Sequence, residues 1–232
     1  MLPSPDPVLL VDADLRPEGR QGPLVRTLAA YRAYYRRWSA PWEAQALLRA
    51  EPVAGDAELG GRFSRMIAEF RYPLDGISPA AIREIRRIKA RMEAERIPRG
   101  ADRALHVKLG PGGLSDVEWT IQLLQLQHAH ALPALRTTRT GDAMAAAVRA
   151  GLLSAADAAA LMASWELAAR IRNAIVLVRG RPADTLPNKH SELTAVARLL
   201  GYPPGDAGQA LEQDYRRAAR RARSVMEPLF YG

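Results

Sequence analysis

The chain has 232 residues, of which 48% are hydrophobic, and its formal net charge is +8. This length and composition are sufficient for one large domain or two small ones, each with a hydrophobic core. The sequence contains no cysteine, which excludes a disulfide framework and a thiolate metal site and predicts a cytoplasmic location. No segment approaches 18 uninterrupted apolar residues, so the sequence predicts no membrane-spanning helix.

The first segment of the chain differs in character from the rest. Residues 8–15, with the sequence VLLVDADL, predict a short strand, and RPEGRQGP predicts a turn after it. On a strand, Asp12 and Asp14 would lie on the same face, because side chains alternate between the two faces. Two carboxylates so placed could hold a divalent cation and support phosphoryl or nucleotidyl transfer. The alternative is a pair of solvated acids before a turn, and the spacing alone favours that interpretation.

The remainder of the chain shows helical periodicity. Predicted helices cover residues 27–38, 42–50, 56–70, 79–96, a segment that begins at 114, 143–153, 155–179, 192–200 and 208–229. Short breaks rich in glycine and proline separate them, so we expect a bundle of antiparallel helices. Within 79–96, an apolar stripe is expected to pack while the charged residues face solvent. The stripe consists of Ile82, Ile85, Ile88 and Met92.

A glycine-rich sequence, KLGPGG, precedes the helix that begins at residue 114. Unpaired N–H groups of Gly112 and Gly113 could bind a phosphate, and Lys108 could add a positive charge. Ser115 and Glu118 also fit the S-x-x-E capping box, which needs no ligand. The spacing is neither that of a P-loop nor that of a dinucleotide fingerprint, so these residues alone favour capping.

Positive charge is concentrated after the first 22 residues, which have a net charge of −2 and leave +10 for the remainder. This excess suits an anionic partner. In the basic run DYRRAARRARSVMEP, the arginines are predicted to lie opposite a buried seam, either as a solvated face or as a docking face for an anion. No exposed aromatics interleave with them to stack bases, which argues against nucleic acid as the partner. The predicted seam is Leu211, Tyr215, Ala218, Ala222, Val225 and Leu229.

Several segments together resemble bacterial glutamine synthetase adenylyltransferase, most closely the C-terminal half of its actinobacterial form. They are, in chain order, VDADLRPEGRQGPLV, PWEAQALLRAEPVAGD, HVKLGPGGLSDVEWTIQLLQLQHAH, RNAIVLVRGRP and the terminal FYG. The resemblance covers nearly the whole chain. It implies a large bifunctional enzyme with two nucleotidyltransferase domains, each followed by a helical bundle. One domain transfers AMP from ATP to a tyrosine of glutamine synthetase, and the other removes it by phosphorolysis.

The resemblance also implies roles for individual residues. Asp12 matches a metal carboxylate of the family and would be catalytic, with Asp14 beside it as a second ligand of Mg²⁺. Arg16 matches a position at which it could contact the triphosphate of ATP. Glu43 and Gln45, in WEAQAL, match a motif near the same cleft.

The resemblance finally implies a division of the chain and its partners. Residues 1–55 would be the strand-containing remnant of a nucleotidyltransferase domain, and residues 56–232 the helical bundle that follows it. The chain contains no Gly-Ser dipeptide and no second Asp-x-Asp ahead of Asp12, so we expect the isolated chain to be inactive. The implied partners are glutamine synthetase and a PII-type nitrogen-signalling protein. The alternative is a non-catalytic helical module that docks on one of them.

Overall fold

The computed structural model describes residues 12–98 and 100–232. In this part of the chain the structure is almost entirely helical, which confirms the prediction of a mainly α protein. The α-helices described are α1 (Leu28–Arg37), α2 (Pro41–Leu47), α3 (Ala57–Arg71), α4 (Pro79–Arg96), α5 (Leu114–His128), α6 (Thr140–Arg149), α7 (Ala155–Arg179), α8 (His190–Leu199) and α9 (Ala207–Tyr231). Short 3-10 helices lie at Gly19–Gln21, Arg103–Leu105 and Pro133–Leu135.

The predicted strand at 8–15 is not confirmed. Residues 8–11 lie outside the described residues, and residues 12–15 have no strand pairing but lead into a turn. The β-type pairing that the described residues show is an isolated antiparallel bridge between His106 and Thr185.

The chain divides into two compact units, Met1–Arg71 and Tyr72–Gly232. In the first unit, α1, α2 and α3 enclose a small core that includes the buried side chains of Tyr35, Met66 and Ile67. The predicted domain boundary between residues 55 and 56 stays a prediction.

Local signals explain where these first helices begin. The Thr27 side chain accepts a hydrogen bond from the N–H of Ala30 at 3.2 Å and so caps α1. Pro41 occupies the first turn of α2, where its missing N–H costs nothing. The Asp56 carboxylate accepts from the N–H of Leu59 at 2.7 Å and caps α3, as the sequence predicts.

In the second unit, α9 packs against α5, α7 and α8. Its buried seam differs from the predicted one, because Ala219 replaces Ala218, Met226 replaces Val225 and Phe230 replaces Leu229. Leu211, Tyr215 and Ala222 are buried as predicted, and the other three positions are shifted by one residue. At the first shifted position, the backbone of Ala219 packs against the glycine-rich turn that precedes α5. The seam consists of Leu211, Tyr215, Ala219, Ala222, Met226 and Phe230.

Helix α4 has the predicted bounds but not the predicted solvent face. Ile85 is buried, as expected, but Lys89 on the same side is also buried, with 0% exposure. Ile82 and Ile88 are only partly buried. The prediction that every charged residue of this helix faces solvent is therefore wrong at Lys89. No helix in the described part of the chain has both the length and the apolar character needed to cross a bilayer.

Candidate functional site

The predicted metal and triphosphate residues lie in an exposed turn. Asp12 accepts a hydrogen bond from the N–H of Asp14 at 2.8 Å, and Asp14 forms an ion pair with Arg20 at 2.8 Å. The Arg16 guanidinium donates to the carbonyl oxygens of Ala13, at 2.6 Å, and Gly22, at 3.0 Å. Arg16 therefore fixes the shape of the turn in this structure. Its predicted contact with a triphosphate stays a prediction.

Glu43 and Gln45 project from α2 of the same unit. One Glu43 oxygen accepts from the N–H of Ala40 at 2.8 Å and caps α2, and the other accepts from the hydroxyl of Tyr34 at 2.9 Å. Burial, followed by the bond to Glu43, raises the pKa of the Tyr34 hydroxyl. Gln45 is buried. Glu43 thus joins α1 to α2, and a role of either residue at a nucleotide stays a prediction.

A magnesium site needs about six oxygen ligands, usually with one or two carboxylates among them. In the N-terminal turn, Asp14 is already paired with Arg20, whereas Asp12 is exposed. Among the described residues, no group of three or more histidine, aspartate or glutamate side chains is placed to hold a metal. The described residues therefore do not fit a magnesium site by themselves, and we assign no catalytic step to a metal.

The glycine-rich turn of the second unit packs tightly inside the protein. Gly112 has a φ of 72°, which is the left-handed conformation, and a Cβ at this position would overlap the carbonyl of Ala219. Its N–H donates to Asp116 at 2.7 Å, and its carbonyl accepts from the Ser164 hydroxyl at 2.7 Å. The N–H of Gly113 donates to the carbonyl of Gly110 at 2.9 Å.

These bonds use the N–H groups of Gly112 and Gly113, which are the candidates for phosphate binding in the sequence. Lys108 is exposed, whereas Gly112 and Gly113 are buried. Phosphate binding by the three residues stays a prediction. In the structure, this turn is where the start of α5 packs closely against α9.

The capping box predicted after this turn is wrong. The N-cap of α5 is Gly113, without a side-chain cap, so Ser115 lies inside the helix and is buried. Glu118 instead accepts from the indole N–H of Trp165 at 3.2 Å. Asp116 provides the side-chain acceptor at this helix start, by bonding the N–H of Gly112.

Asp116 is the centre of a buried charge network. Its carboxylate, 1% exposed, accepts from the Lys89 ammonium and from the Arg223 guanidinium, the latter at 3.0 Å. Lys89 also pairs with Glu93 of its own helix. Burial opposes the charged form of Lys89, but Asp116 and Glu93 outweigh it and raise the pKa of the ammonium group. The network therefore fixes α4, α5 and α9 together through ionised groups.

A second polar connection links the glycine-rich turn to the segment after α7. The N–H of Val107 donates to the carbonyl of Asp184 at 2.8 Å, and the Asp184 carboxylate pairs with Arg172 at 2.6 Å. The buried His106 ring accepts from the N–H of Leu109 through Nδ1 at 3.1 Å. Burial lowers the pKa of His106, although the Asp184 carboxylate opposes this effect.

The arginines of α9 are not equivalent. Arg216 pairs with Asp102 at 2.7 Å and with Glu212 at 2.9 Å, and Arg217 pairs with Asp214. Arg220 and Arg221 are exposed, and their guanidinium groups form no ion pair in the part of the chain that the structure describes. Arg223 pairs with Asp116 and Glu227, so the predicted basic face contains three paired arginines and two available ones.

Sequence reasoning missed the network around Asp116. Ile82, Ile85, Lys89 and Met92 recur at the alternating three- and four-residue spacing of a packing seam, so a lysine occupies a core position of α4. A lysine at a core position of a predicted helix is the sequence feature that indicates a buried charge. Glu93 is only four residues from Lys89, but Asp116 and its second partner Arg223 are distant in sequence, and no local pattern connects them to Lys89.

The whole chain is similar to parts of longer bacterial proteins. Residues 86–230 match the family model described as GlnD PII-uridylyltransferase, and residues 2–66 match the model described as Glutamate-ammonia ligase adenylyltransferase. A bifunctional glutamine synthetase adenylyltransferase/adenylyl-removing enzyme of Streptomyces avermitilis is 65% identical over 100% of this chain, which spans 23% of that relative. The enzymes of the same description from Mycobacterium avium and Nocardia farcinica are 58% and 57% identical over 98% of the chain, again 23% of their length. The similarity covers the C-terminal part of these relatives.

Proposed function

Because the chain belongs to the family of the bifunctional glutamine synthetase adenylyltransferase/adenylyl-removing enzymes, with residues 86–230 in the family described as GlnD PII-uridylyltransferase, we propose that it acts in the transfer of AMP. The substrates are ATP and a tyrosine of glutamine synthetase, and the reaction regulates nitrogen assimilation. The observation that supports this proposal is the extent of the similarity. It covers 100% of the chain at 65% identity and so includes both compact units.

The N-terminal turn is the proposed contribution of this chain to the transfer site. Asp12 is exposed, and its Oδ2 accepts no hydrogen bond within residues 12–98 and 100–232. It is therefore available to a ligand, whereas Asp14 would first have to leave Arg20. Magnesium as the cofactor of ATP is an inference from the family. The cytoplasmic location is likewise a prediction from the sequence.

We expect this chain to take part in AMP transfer only together with the rest of a longer enzyme. The 232 residues contain neither a Gly-Ser dipeptide nor a second Asp-x-Asp ahead of Asp12, so by themselves they should transfer no AMP. In a longer enzyme that contains this chain, Asp12→Asn keeps the shape of the side chain but removes its charge. The transfer rate should fall by about three orders of magnitude, as expected when a group that stabilises the transition state by several kcal/mol is lost.

The test measures AMP incorporation into glutamine synthetase with ATP and magnesium. The proteins compared are the 232-residue chain, the longer enzyme, and its Asp12→Asn and Asp14→Asn variants, of which Asp14→Asn should lose much less activity because Asp14 already pairs with Arg20. Robust transfer by the short chain, or a near-normal rate for Asp12→Asn, would contradict the assignment.

A second candidate function is docking without chemistry, and the free arginines of α9 favour it. Arg220 and Arg221 are exposed without acidic partners among the described residues, so they are available to an acidic surface of glutamine synthetase or of a PII-type nitrogen-signalling protein. Arg216 and Arg217 have acidic partners already. The available pair should therefore dominate binding if α9 is the docking face.

The docking test compares two double variants, Arg220→Gln/Arg221→Gln and Arg83→Gln/Arg87→Gln. The second pair is exposed on α4 and serves as the matched control. Titration against each partner at two ionic strengths should show weaker and less salt-sensitive binding for the α9 variant alone. Equal binding by the two variants would identify the α9 arginines as a solvated face.

A further inference from the structure

A cleft of about 390 Å³ lies between α1 and α3 in the first unit. Its apolar part is formed by Leu28 and by Met66, which is buried. Its charged part is formed by arginines from both helices. The lining residues are Leu28, Ala29, Arg32, Arg62, Arg65 and Met66. The volume falls within the range of roughly 300–1,000 Å³ that is usual for small-molecule sites.

Positive charge is in excess among the residues that line this cleft. Arg62 and Arg65 are three residues apart, so they lie on the same face of α3. Both are exposed, and neither forms an ion pair in the described part of the chain. Arg32 pairs with Glu69 at 3.2 Å, but Glu69 also pairs with Arg36 at 3.1 Å. Among the residues that the structure describes, no acidic residue lines the cleft.

Two other clefts with basic lining also contain an acidic residue. The cleft at the end of α7 contains Arg179, Arg181 and Lys189, but Glu192 also lines it and pairs with the first and the last of these. In the cleft beside α9, Glu227 belongs to the lining and pairs with Arg223, and Arg216 pairs with Asp102, whereas Arg220 forms no ion pair in the described part of the chain. The cleft between α1 and α3 therefore has the greatest capacity for an added anion among those compared.

We propose that this cleft binds the phosphate group of a small phosphorylated ligand. The planar guanidinium groups of Arg62 and Arg65 suit bidentate contacts with phosphate oxygens, and Arg32 closes the opposite side from α1. Leu28 and Met66 offer an apolar surface to the organic part of the ligand. Inorganic phosphate and a nucleoside monophosphate share the required group, and the experiment below distinguishes them.

Isothermal titration of the 232-residue chain with phosphate, AMP and adenosine, in buffer without divalent metal, tests the proposal. We expect one site for AMP, weaker binding of inorganic phosphate, which lacks an organic part, and no binding of adenosine, which lacks the phosphate. Arg62→Gln/Arg65→Gln should weaken AMP binding by at least about tenfold, since two charge-assisted contacts are lost. Arg83→Gln/Arg87→Gln removes two exposed helical arginines elsewhere and should leave the affinity unchanged.

Three results would overturn the proposal. They are the absence of AMP binding by the unchanged chain, equal binding of adenosine and AMP, and equal losses in the two double variants. Because Arg62 and Arg65 are exposed, the substitutions should preserve the helical circular dichroism spectrum, so a loss of binding can be separated from a loss of folding. The titration uses neither glutamine synthetase nor ATP and magnesium, so its outcome is independent of the proposed AMP transfer.

Discussion

Asp116 in the second unit and Asp14 in the first each bind an arginine, but their surroundings differ. Asp116 is 1% exposed and is bonded by Lys89, Arg223 and the N–H of Gly112. Asp14 pairs with Arg20 in a turn where both side chains remain accessible to water. The buried carboxylate is fully used by the fold, whereas the exposed turn retains polar groups that a ligand can reach. The same residue type thus serves stability in one region and is open to binding in the other.

The strongest test of this contrast is Asp116→Asn against Asp14→Asn. The first substitution removes the charge that compensates the buried Lys89, and breaking a buried ion pair costs about 3–5 kcal/mol. The second affects an exposed pair, whose contribution to the free energy of unfolding is about 0–1 kcal/mol. Urea denaturation of the 232-residue chain measures both. Equal losses would show that Asp116 is not the structural centre of its unit.

Gly112→Ala should break the close approach beneath Asp116. The methyl group of the alanine would overlap the Ala219 carbonyl, and the alanine backbone would have to adopt an unfavourable left-handed φ of 72°. Together these effects should cost about 2–4 kcal/mol. Gly151 has a similar φ of 71° but open space around it, so Gly151→Ala should cost only about 1 kcal/mol. The difference in urea midpoints isolates packing from backbone strain, and its absence would contradict the close approach.

Acidification tests the neighbouring His106. Burial lowers the pKa of the folded His106, so in the unfolded chain this residue binds a proton first, near its ordinary value of about 6.5. The free energy of unfolding should therefore be unaffected by His106 above about pH 6.5 and should fall below it, by at most about 1.4 kcal/mol per pH unit for one proton. His128, whose pKa burial also lowers, adds to the same trend.

The variant His106→Asn should make this pH dependence shallower. His190→Asn, at an exposed position, is the control. Denaturation curves at several pH values between about 5 and 7.5 provide the measurement. An unchanged slope in His106→Asn would assign the acid sensitivity to other groups.

The smallest expected effect concerns Tyr215, which is buried but whose hydroxyl has no hydrogen-bond partner among the described residues. Tyr215→Phe removes this unsatisfied group and should leave the free energy of unfolding unchanged or raise it by about 1 kcal/mol. Tyr202→Phe instead breaks a 2.9 Å bond to Asp214 and should lower it by about 1 kcal/mol. Thermal or urea denaturation compares them. Destabilisation by Tyr215→Phe would show that its hydroxyl has a partner after all.

The candidate residues were predicted less completely than the fold. The resemblance selected Asp12 and Arg16, and the structure places them in one turn. The glycine-rich sequence makes the N–H groups of Gly112 and Gly113 candidates for phosphate binding, but in the structure they donate to Asp116 and Gly110. A glycine-rich sequence is the same whether its N–H groups face solvent or a neighbouring helix. The local sequence therefore cannot predict whether these N–H groups are available to a ligand.

The sequence by itself determined the helices, because the signals that begin and end them are local. Helices α4 and α7 have the predicted bounds, since Ser78 and Ser154 cap their first turns and Gly180 ends α7 in a left-handed conformation. The tertiary structure alone decided which polar residues are buried. Asp116 bonds to Lys89, which is 27 residues away in the sequence, and to Arg223, which is 107 residues away. A buried charge is stable only where the fold brings such distant partners to it.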